Sequence, residues 1–485
     1  MKKGWIIAVS IILVIAIVLG VVYFVVFGHS KKYGETENLT VGDGQTLKVG
    51  IISDSQLPDG DDNSRWTENL KMALETLKSQ NVDVIIHAGD FTDVGTVGAW
   101  KSFKKVYDEV FPKDGPVKCF VMGNHDHWLT YFVECWDIPT PARQQNKFTK
   151  YTGELPYTHK VINGYHFINW SSGNGTYDKS YQNEDWIRAQ LDAAVRDDPN
   201  KPIFVTTHIN PLNTIYGSSE EEGWGNADIY RILKDYPQVV SFSGHSHYSL
   251  LDERSIWQSE FTAVGTETID YIELEPGKFN GSVPKDAYGD SLAKYTPMGM
   301  IMTVSSDGVK MDRISTKTGE QAKQSWNIQV PFSADTAEYT KSKRTENNKA
   351  PYFEGDIGAK ITATIDNDAN PINVLSFNSA KDEDFVHSYK LVFKDSNGDK
   401  VTFDKTDYSG EKVMETDEDD NELDTVAQIS ERLYFSDFTK GLGNMSNRTE
   451  LRLPKNLPDE VTQIDICGID SWGAETETVT FKITK

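Results

Sequence analysis

The sequence predicts a layered α/β domain, with a β-sandwich core flanked by helices. An all-β sandwich domain follows it and a transmembrane helix precedes it. Three observations carry this expectation. Between residues 46 and 316, short apolar runs alternate with amphipathic segments, the pattern of buried strands joined by helices. From residue 351 onward, short segments alternate apolar and polar at every second residue, as half-exposed strands do. Trp5 to Phe27 is almost wholly apolar, long enough to span a bilayer.

The amino-terminal segment 1–28 reads as an uncleaved signal anchor. Residues 4–28 carry no charge, and Val22-Tyr23-Phe24-Val25-Val26-Phe27 offers no small-residue cleavage site, unlike a secretory signal. Lys2 and Lys3 precede the span and Lys31 and Lys32 follow it, so the flanking charges nearly balance. The very short amino-terminal tail favours an inside start and a single-pass cell-membrane protein with its body extracytoplasmic. Residues 29–45 are polar and read as a juxtamembrane linker.

In the region 46–316, helices are expected over 64–79, 96–111, 183–196 and 227–235. Each places apolar residues at helical spacing, as Trp66, Leu70, Ala73, Leu74 and Leu77 do. Residues 317–350 are rich in Lys, Thr, Ser, Asn and Glu and read as a linker or wrapping segment. The remainder, 351–485, reads as a β-sandwich accessory domain. Within it, Asn397-Gly398 lies between two alternating runs and signals a hairpin.

Bulk properties narrow the function. A chain of 485 residues exceeds what one core supports, so two domains are expected. The net charge is −24, and more than half of the excess lies beyond residue 350. Such a surface repels a nucleic-acid polymer. It does not exclude a small phosphoester, because bound dications invert the local field. Three cysteines without a CxxC pair rule out an all-thiolate structural zinc site.

Five motifs carry the chemistry: Asp54-Ser55-Gln56, Gly89-Asp90-Phe91-Thr92-Asp93, Gly123-Asn124-His125-Asp126, Thr207-His208 and Gly244-His245-Ser246-His247. Each follows a short apolar run. Polar groups just past the carboxyl ends of strands in an α/β sheet converge on one crevice. Mixed Asp, Asn, Gln and His donors suit Mn, Fe or Zn. Two such ions clamp a phosphoryl group better than one. Asp90 is the candidate bridge, because a carboxylate offers two oxygens and a negative charge.

This ordered set resembles the calcineurin-like metallophosphoesterase family, whose pattern is Asp-x-His, Gly-Asp-x-x-Asp, Gly-Asn-His-Asp or Glu, His, and Gly-His-x-His. The resemblance covers roughly residues 47–250. It implies a first metal held by Asp54, Gln56, Asp90 and His247, and a second held by Asp90, Asn124, His208 and His245. It implies that His125 assists the leaving group, that Asp126 orients the His125 ring and that Asp93 supports from behind. Asn124 would also share charge developing on the phosphoryl oxygens. The implied activity is metal-dependent phosphoester hydrolysis, as a phosphomonoesterase or phosphodiesterase, with a metal-bound hydroxide as nucleophile.

Gln56 departs from the pattern, standing where the family has His. An amide oxygen is a weaker and harder donor than imidazole, which favours Mn over Zn at the first site. The competing reading is a surface binding or adhesion protein on an inactive scaffold of this kind. Its partner at the β-sandwich is unspecified, and Gln56 is the feature that favours it. The end of the chain, around Asp470-Ser471-Trp472-Gly473, loosely resembles fibronectin type III and immunoglobulin-like modules. His87 and His127 read as structural, Asn210 and Trp170 as candidate pocket residues, and 127–157 as either a lid or a local core.

Overall fold

The computed structural model describes residues 32–60, 64–113, 115–132, 140–174, 181, 183–272, 279–280, 297–365, 370–384, 386–407, 410–416, 422–436 and 447–483. The expected transmembrane segment 1–28 lies outside these. Among the described residues no helix is long and apolar enough to cross a membrane.

The first region runs β1 (Glu37–Leu39), β2 (Leu47–Ile52), α1 (Arg65–Ser79), β3 (Val84–His87), α2 (Val97–Val110), β4 (Val117–Phe120), α3 (Pro141–Thr152), β5 (Tyr157–Ile162), β6 (Tyr165–Trp170), α4 (Glu184–Asp197), β7 (Ile203–Thr206), α5 (Ala227–Leu233), β8 (Val239–Ser243), β9 (Ile256–Gln258), β10 (Thr262–Gly265), β11 (Met298–Ser305), β12 (Gly308–Ser315) and β13 (Trp326–Ile328). Two mixed sheets form. One is ordered β13-β12-β11-β2-β3-β4, with β2, β3 and β4 parallel. The other is ordered β1-β5-β6-β7-β8-β10-β9, with β6, β7, β8 and β10 parallel.

Successive residues of a strand point to opposite faces, and this sorts the core. Val49, Ile51 and Ile86 of the first sheet meet Phe167, Phe204 and Phe242 of the second in the layer between them. Ile52 and Ile85 point the other way, onto Leu70, Leu74 and Leu77 of α1 and Trp100 and Phe103 of α2. On the far side, Ile168 and Val205 meet Ile187 and Leu191 of α4 and Ile229 of α5. The result is four layers: helix, sheet, sheet, helix. The parallel strands aim their carboxyl ends the same way within each sheet, which sets up the site.

One segment departs from expectation, and for another the structure selects one of two readings. The stretch expected as a juxtamembrane linker is partly built into the domain. β1 pairs in parallel with β5, Tyr33 stacks on Tyr157 with centroids 5.1 Å apart, and Leu39 and Val41 pack against the inter-sheet core. Its polar composition hides these few apolar anchors. The stretch 317–350 wraps the domain rather than leaving it. β13 extends the first sheet with Trp326 fully buried. One buried carboxylate then gathers the segment: Glu253 meets Arg313 at 2.9 Å, Lys323 at 3.0 Å and Arg344 at 2.7 Å, and accepts from Trp326 Nε1 at 3.0 Å.

The C-terminal region contains β14 (Lys360–Ile365), β15 (Pro371–Asn378), β16 (Val386–Lys394), β17 (Glu431–Phe435), β18 (Arg448–Arg452), β19 (Gln463–Asp470) and β20 (Val479–Lys482). One sheet is ordered β14-β15-β18 and the other β17-β16-β19-β20. They share a core that includes Leu375, Phe377, Leu391, Phe393, Leu451 and Ile466. A two-residue strand from the first region, Phe279–Asn280, pairs with the β17 edge. The Asn397-Gly398 turn is closed by Asp395, whose Oδ1 accepts from the backbone of Asn397 and Asp399 at 2.8 and 2.9 Å.

Burial alone would raise the Glu253 pKa, but Lys323, Arg313 and Arg344 outweigh it and hold it at about 2, below the ordinary 4.5. Its stabilising contribution is therefore complete above about pH 4.5 and lost as pH falls towards 2. Glu253→Gln leaves three cations around a neutral group and is expected to cost about 3–5 kcal/mol. In urea melts at stepped pH, the gap between wild type and Glu253→Gln should close across that window.

Candidate metal centre

The five motifs meet at one edge of the two sheets. Asp54 and Gln56 follow β2, Asp90 follows β3, Asn124 follows β4, His208 follows β7, and His245 and His247 follow β8. Adjacent loops are laced together by backbone bonds, Asp54 N to Gly89 O and Gln56 N to Asp90 O, both 3.0 Å. Asp54, Gln56, Asp90, Asn124, His208, His245 and His247 are all buried. Five of them hold left-handed backbone: Asp54 at φ 53°, Gln56 at 39°, Asp90 at 51°, His245 at 69° and His247 at 53°. Such a conformation costs about 1–3 kcal/mol per residue and clusters at functional sites. Here it turns each side chain sharply from its strand end into the crevice.

Two glycines make room for the carboxylates. A Cβ on Gly123 would lie 2.0 Å from Asp90 Oδ1, and one on Gly244 would lie 2.1 Å from Asp54 Oδ2. Each aspartate therefore lies directly against the backbone of a neighbouring loop.

Hydrogen bonds fix the imidazole tautomers. His208 Nδ1 lies 2.8 Å from the Ala88 carbonyl, and His247 Nδ1 lies 3.0 Å from the Tyr271 carbonyl. A carbonyl only accepts, so both Nδ1 atoms carry protons. The Nε2 atoms point into the crevice. His208 Nε2 is 2.9 Å from Asn124 Oδ1 and 3.2 Å from Asp90 Oδ2. His247 Nε2 is 3.1 Å from Asp54 Oδ1. An imidazole nitrogen facing carboxylate and amide oxygens at these distances needs positive charge between them, supplied by a proton or by a metal ion. Burial would lower the His208 pKa, but Asp90 and Asp54 outweigh it and raise it to about 9. Asp90, His208 and His245 bring one donor atom each within 4.8 Å of one another. The donor set fits a metal ion. It provides one neutral-nitrogen and carboxylate cluster around Asp90, and a second pairing of His247 with Asp54.

His125 opens a three-residue turn, His125–His127. Its backbone N donates to Asp90 Oδ1 at 2.9 Å, and its Nε2 lies 4.0 Å from Asp90 Oδ2. Asp126 does not orient its ring, contrary to expectation. The Asp126 carboxylate turns inward and accepts from Gly123 N at 3.0 Å, Thr92 N at 3.0 Å and Thr92 Oγ1 at 2.8 Å. It ties the loop after β3 to the loop after β4. The ring is instead held by Asp93, whose carbonyl lies 2.9 Å and whose carboxylate lies 3.5 Å from His125 Nδ1. Burial lowers the His125 pKa, and Asp90 and Asp93 more than reverse that, leaving it raised.

Several neighbours carry no sequence signal because only the fold brings them in. The Tyr181 hydroxyl accepts from His208 N and Ile209 N at 2.9 and 3.2 Å. Trp224 stands edge-on to His245 and Tyr271 edge-on to His247, with centroids 5.1 and 4.5 Å apart. Trp128 stacks on His125 at 3.4 Å, so the start of 127–157 faces the site. Farther along, α3 packs as local core through Phe148 against Phe91 and Trp100. Tyr131, Phe132 and Trp136 have side chains outside the described residues. His87 stacks on Phe91 at 3.7 Å, and His127 Nε2 meets the Ser172 carbonyl at 3.1 Å. Both are buried, as are Asn210 and Trp170.

Residues 47–249 match the family model described as calcineurin-like phosphoesterase. A comparison with curated proteins found no match. Among solved structures, the chain is similar to a dimetal phosphatase from Danio rerio, at 10% identity and TM-score 0.38, over 59% of this chain and 99% of that one. It is similar to GAP50, the anchor in the inner membrane complex of Plasmodium, at 16% identity and TM-score 0.37, over 60% and 92%. It is also similar to the purple acid phosphatase PPD1 of yellow lupin, at 13% identity and TM-score 0.39, over 59% and 54%. These similarities are distant, and the family match and the site's own geometry carry the reading.

Gly123→Ala should displace Asp90, whose atoms are the nearest to the added Cβ. We expect Mn2+ affinity, measured calorimetrically on metal-stripped protein, to fall by about 10-fold or more, in the range seen when a ligand's support is lost.

Proposed function

We propose that this protein hydrolyses phosphoesters at a dinuclear metal centre. The observation that carries the reading is the convergence of Asn124 Oδ1 and Asp90 Oδ2 on His208 Nε2, at 2.9 and 3.2 Å, in a buried crevice. Asp54, Gln56, Asp90 and His247 would hold the first ion, and Asp90, Asn124, His208 and His245 the second. The ions, when bound, would supply Lewis acidity and an activated water.

The chain's own residues then divide the remaining work. The buried amide nitrogens of Gln56 and Asn124 have no hydrogen-bond partner among the described residues. They are donors suited to phosphoryl oxygens gaining charge. His125, half-shielded by Trp128 and biased towards its protonated form by Asp90 and Asp93, is placed to protonate the departing oxygen. Gln56 as an oxygen donor favours Mn over Zn at the first site. Residues 1–28 would tether the enzyme to the cell membrane with this domain outside.

Hydrolysis of p-nitrophenyl phosphate and bis-p-nitrophenyl phosphate by the fragment from residue 29, stripped and reloaded with Mn, Fe, Zn or Mg, tests the activity. We expect metal-dependent turnover, highest with Mn, that drops by about 100-fold in His125→Ala. A folded fragment that binds metal yet turns over neither ester would favour the scaffold reading. Protease shaving of intact cells should remove the domain; a fully protected domain would refute the orientation.

A further inference from the structure

The loop that carries His245 and His247 rests on a second loop, which follows β7. Gly217 (φ 88°) lies so close that a Cβ there would fall 2.5 Å from the Tyr248 ring and 3.0 Å from Ser246 Cβ. Beside it, Tyr216 stacks on Tyr248 with centroids 4.0 Å apart and planes 16° from parallel. The Arg254 guanidinium lies 3.6 Å from the Tyr216 ring centroid and is held by Asp252 at 2.8 Å. The Tyr216 hydroxyl then crosses to the C-terminal sheets and meets His387 Nε2, on β16, at 3.0 Å. Both side chains are buried. His387 is itself fixed, edge-on to Phe435 at 4.9 Å, with its carbonyl accepting from Ser436 N at 3.0 Å.

We infer that Tyr216 and His387 are positioning residues for the metal centre, and that the C-terminal sheets act as a brace for the His245–His247 loop. The inference rests on the metal-centre reading above. Its physical basis is the backbone of that loop. His245 and His247 both hold left-handed φ, a conformation that persists only where the surroundings over-determine it. The line from Tyr248 through Tyr216 to His387 is a continuous packed contact from that loop to a rigid strand. A loop released from it would relax towards ordinary backbone and carry its imidazoles away from Asp54 and Asp90.

The test uses the full chain and four variants: Tyr216→Phe, His387→Ala, His387→Gln and Tyr434→Phe. Tyr434 is buried in the same sheets and donates to the Arg452 carbonyl at 2.8 Å, so its variant reports general loosening of those sheets. Amide hydrogen exchange over 244–248 is read without metal, and Mn2+ affinity is read by calorimetry. We expect Tyr216→Phe and His387→Ala to speed exchange in 244–248 and weaken Mn2+ binding by about 10-fold or more. His387→Gln, which can still bond the Tyr216 hydroxyl, should recover most of both. Tyr434→Phe should leave both near wild type. Unchanged exchange in Tyr216→Phe and His387→Ala overturns the brace. So does Tyr434→Phe loosening the loop as much as His387→Ala. Wild-type protein that binds no Mn2+ overturns instead the metal-centre reading, and the positioning role with it.

Discussion

Seven buried donors aimed at one crevice repel one another unless a cation sits among them, and much of the first region is arranged to force that meeting. His208 and His247 each turn Nδ1–H away, onto the Ala88 and Tyr271 carbonyls, and aim Nε2 into the crevice. Asp90 and Asp54 are pressed against Gly123 and Gly244. Five of the seven hold backbone that ordinary residues avoid. This is an expensive arrangement for a chain without a bound ion. The four-layer core supplies the stability that lets it stand, because every one of these residues lies within a few positions of a strand of that core.

The candidate site was unusually legible in the sequence, and the reason is local. Each ligand candidate lies a few residues past an apolar run, and parallel strands bring such positions together whatever the intervening helices do. What was not legible was direction. Asp126 is the sequence neighbour of His125, whereas Asp93 lies in another motif. Only the tight turn at His125–His127 decides that Asp126 faces back to Thr92 and Gly123 while Asp93 faces the imidazole. Tyr181, Trp224 and Tyr271 were invisible for another reason: their proximity is set by loops whose course no periodicity encodes.

The same contrast holds for the fold. The strands that lead to the five motifs followed from periodicity, and α1 and α2 begin and end within a residue of expectation, whereas α3, β5 and β6 were not foreseen. The polar stretch 29–45 was misread, and 317–350 was left between two readings, because composition averages over a few decisive residues. Tyr33, Leu39 and Val41 dock a segment that looks like a tether. Glu253 draws in a segment that looks like a linker, by offering one buried charge to Arg313, Lys323 and Arg344. A polar segment need not leave the protein surface when a buried counter-charge awaits it.

The strand order of the first sheet bears on how the protein is made. β2, which leads to Asp54, lies between β3, close behind it in the chain, and β11, whose residues 298–305 come far later. During synthesis β2, β3 and β4 can pair as they emerge, yet β2 keeps one apolar edge open until β11 arrives. An open edge of that kind invites pairing with other chains, and such long-range pairing is slow to form. The nascent chain therefore passes through a prolonged stage in which its central sheet is half closed. Helpers that shield exposed strands during biogenesis would have their greatest effect on this protein before residue 305 is released.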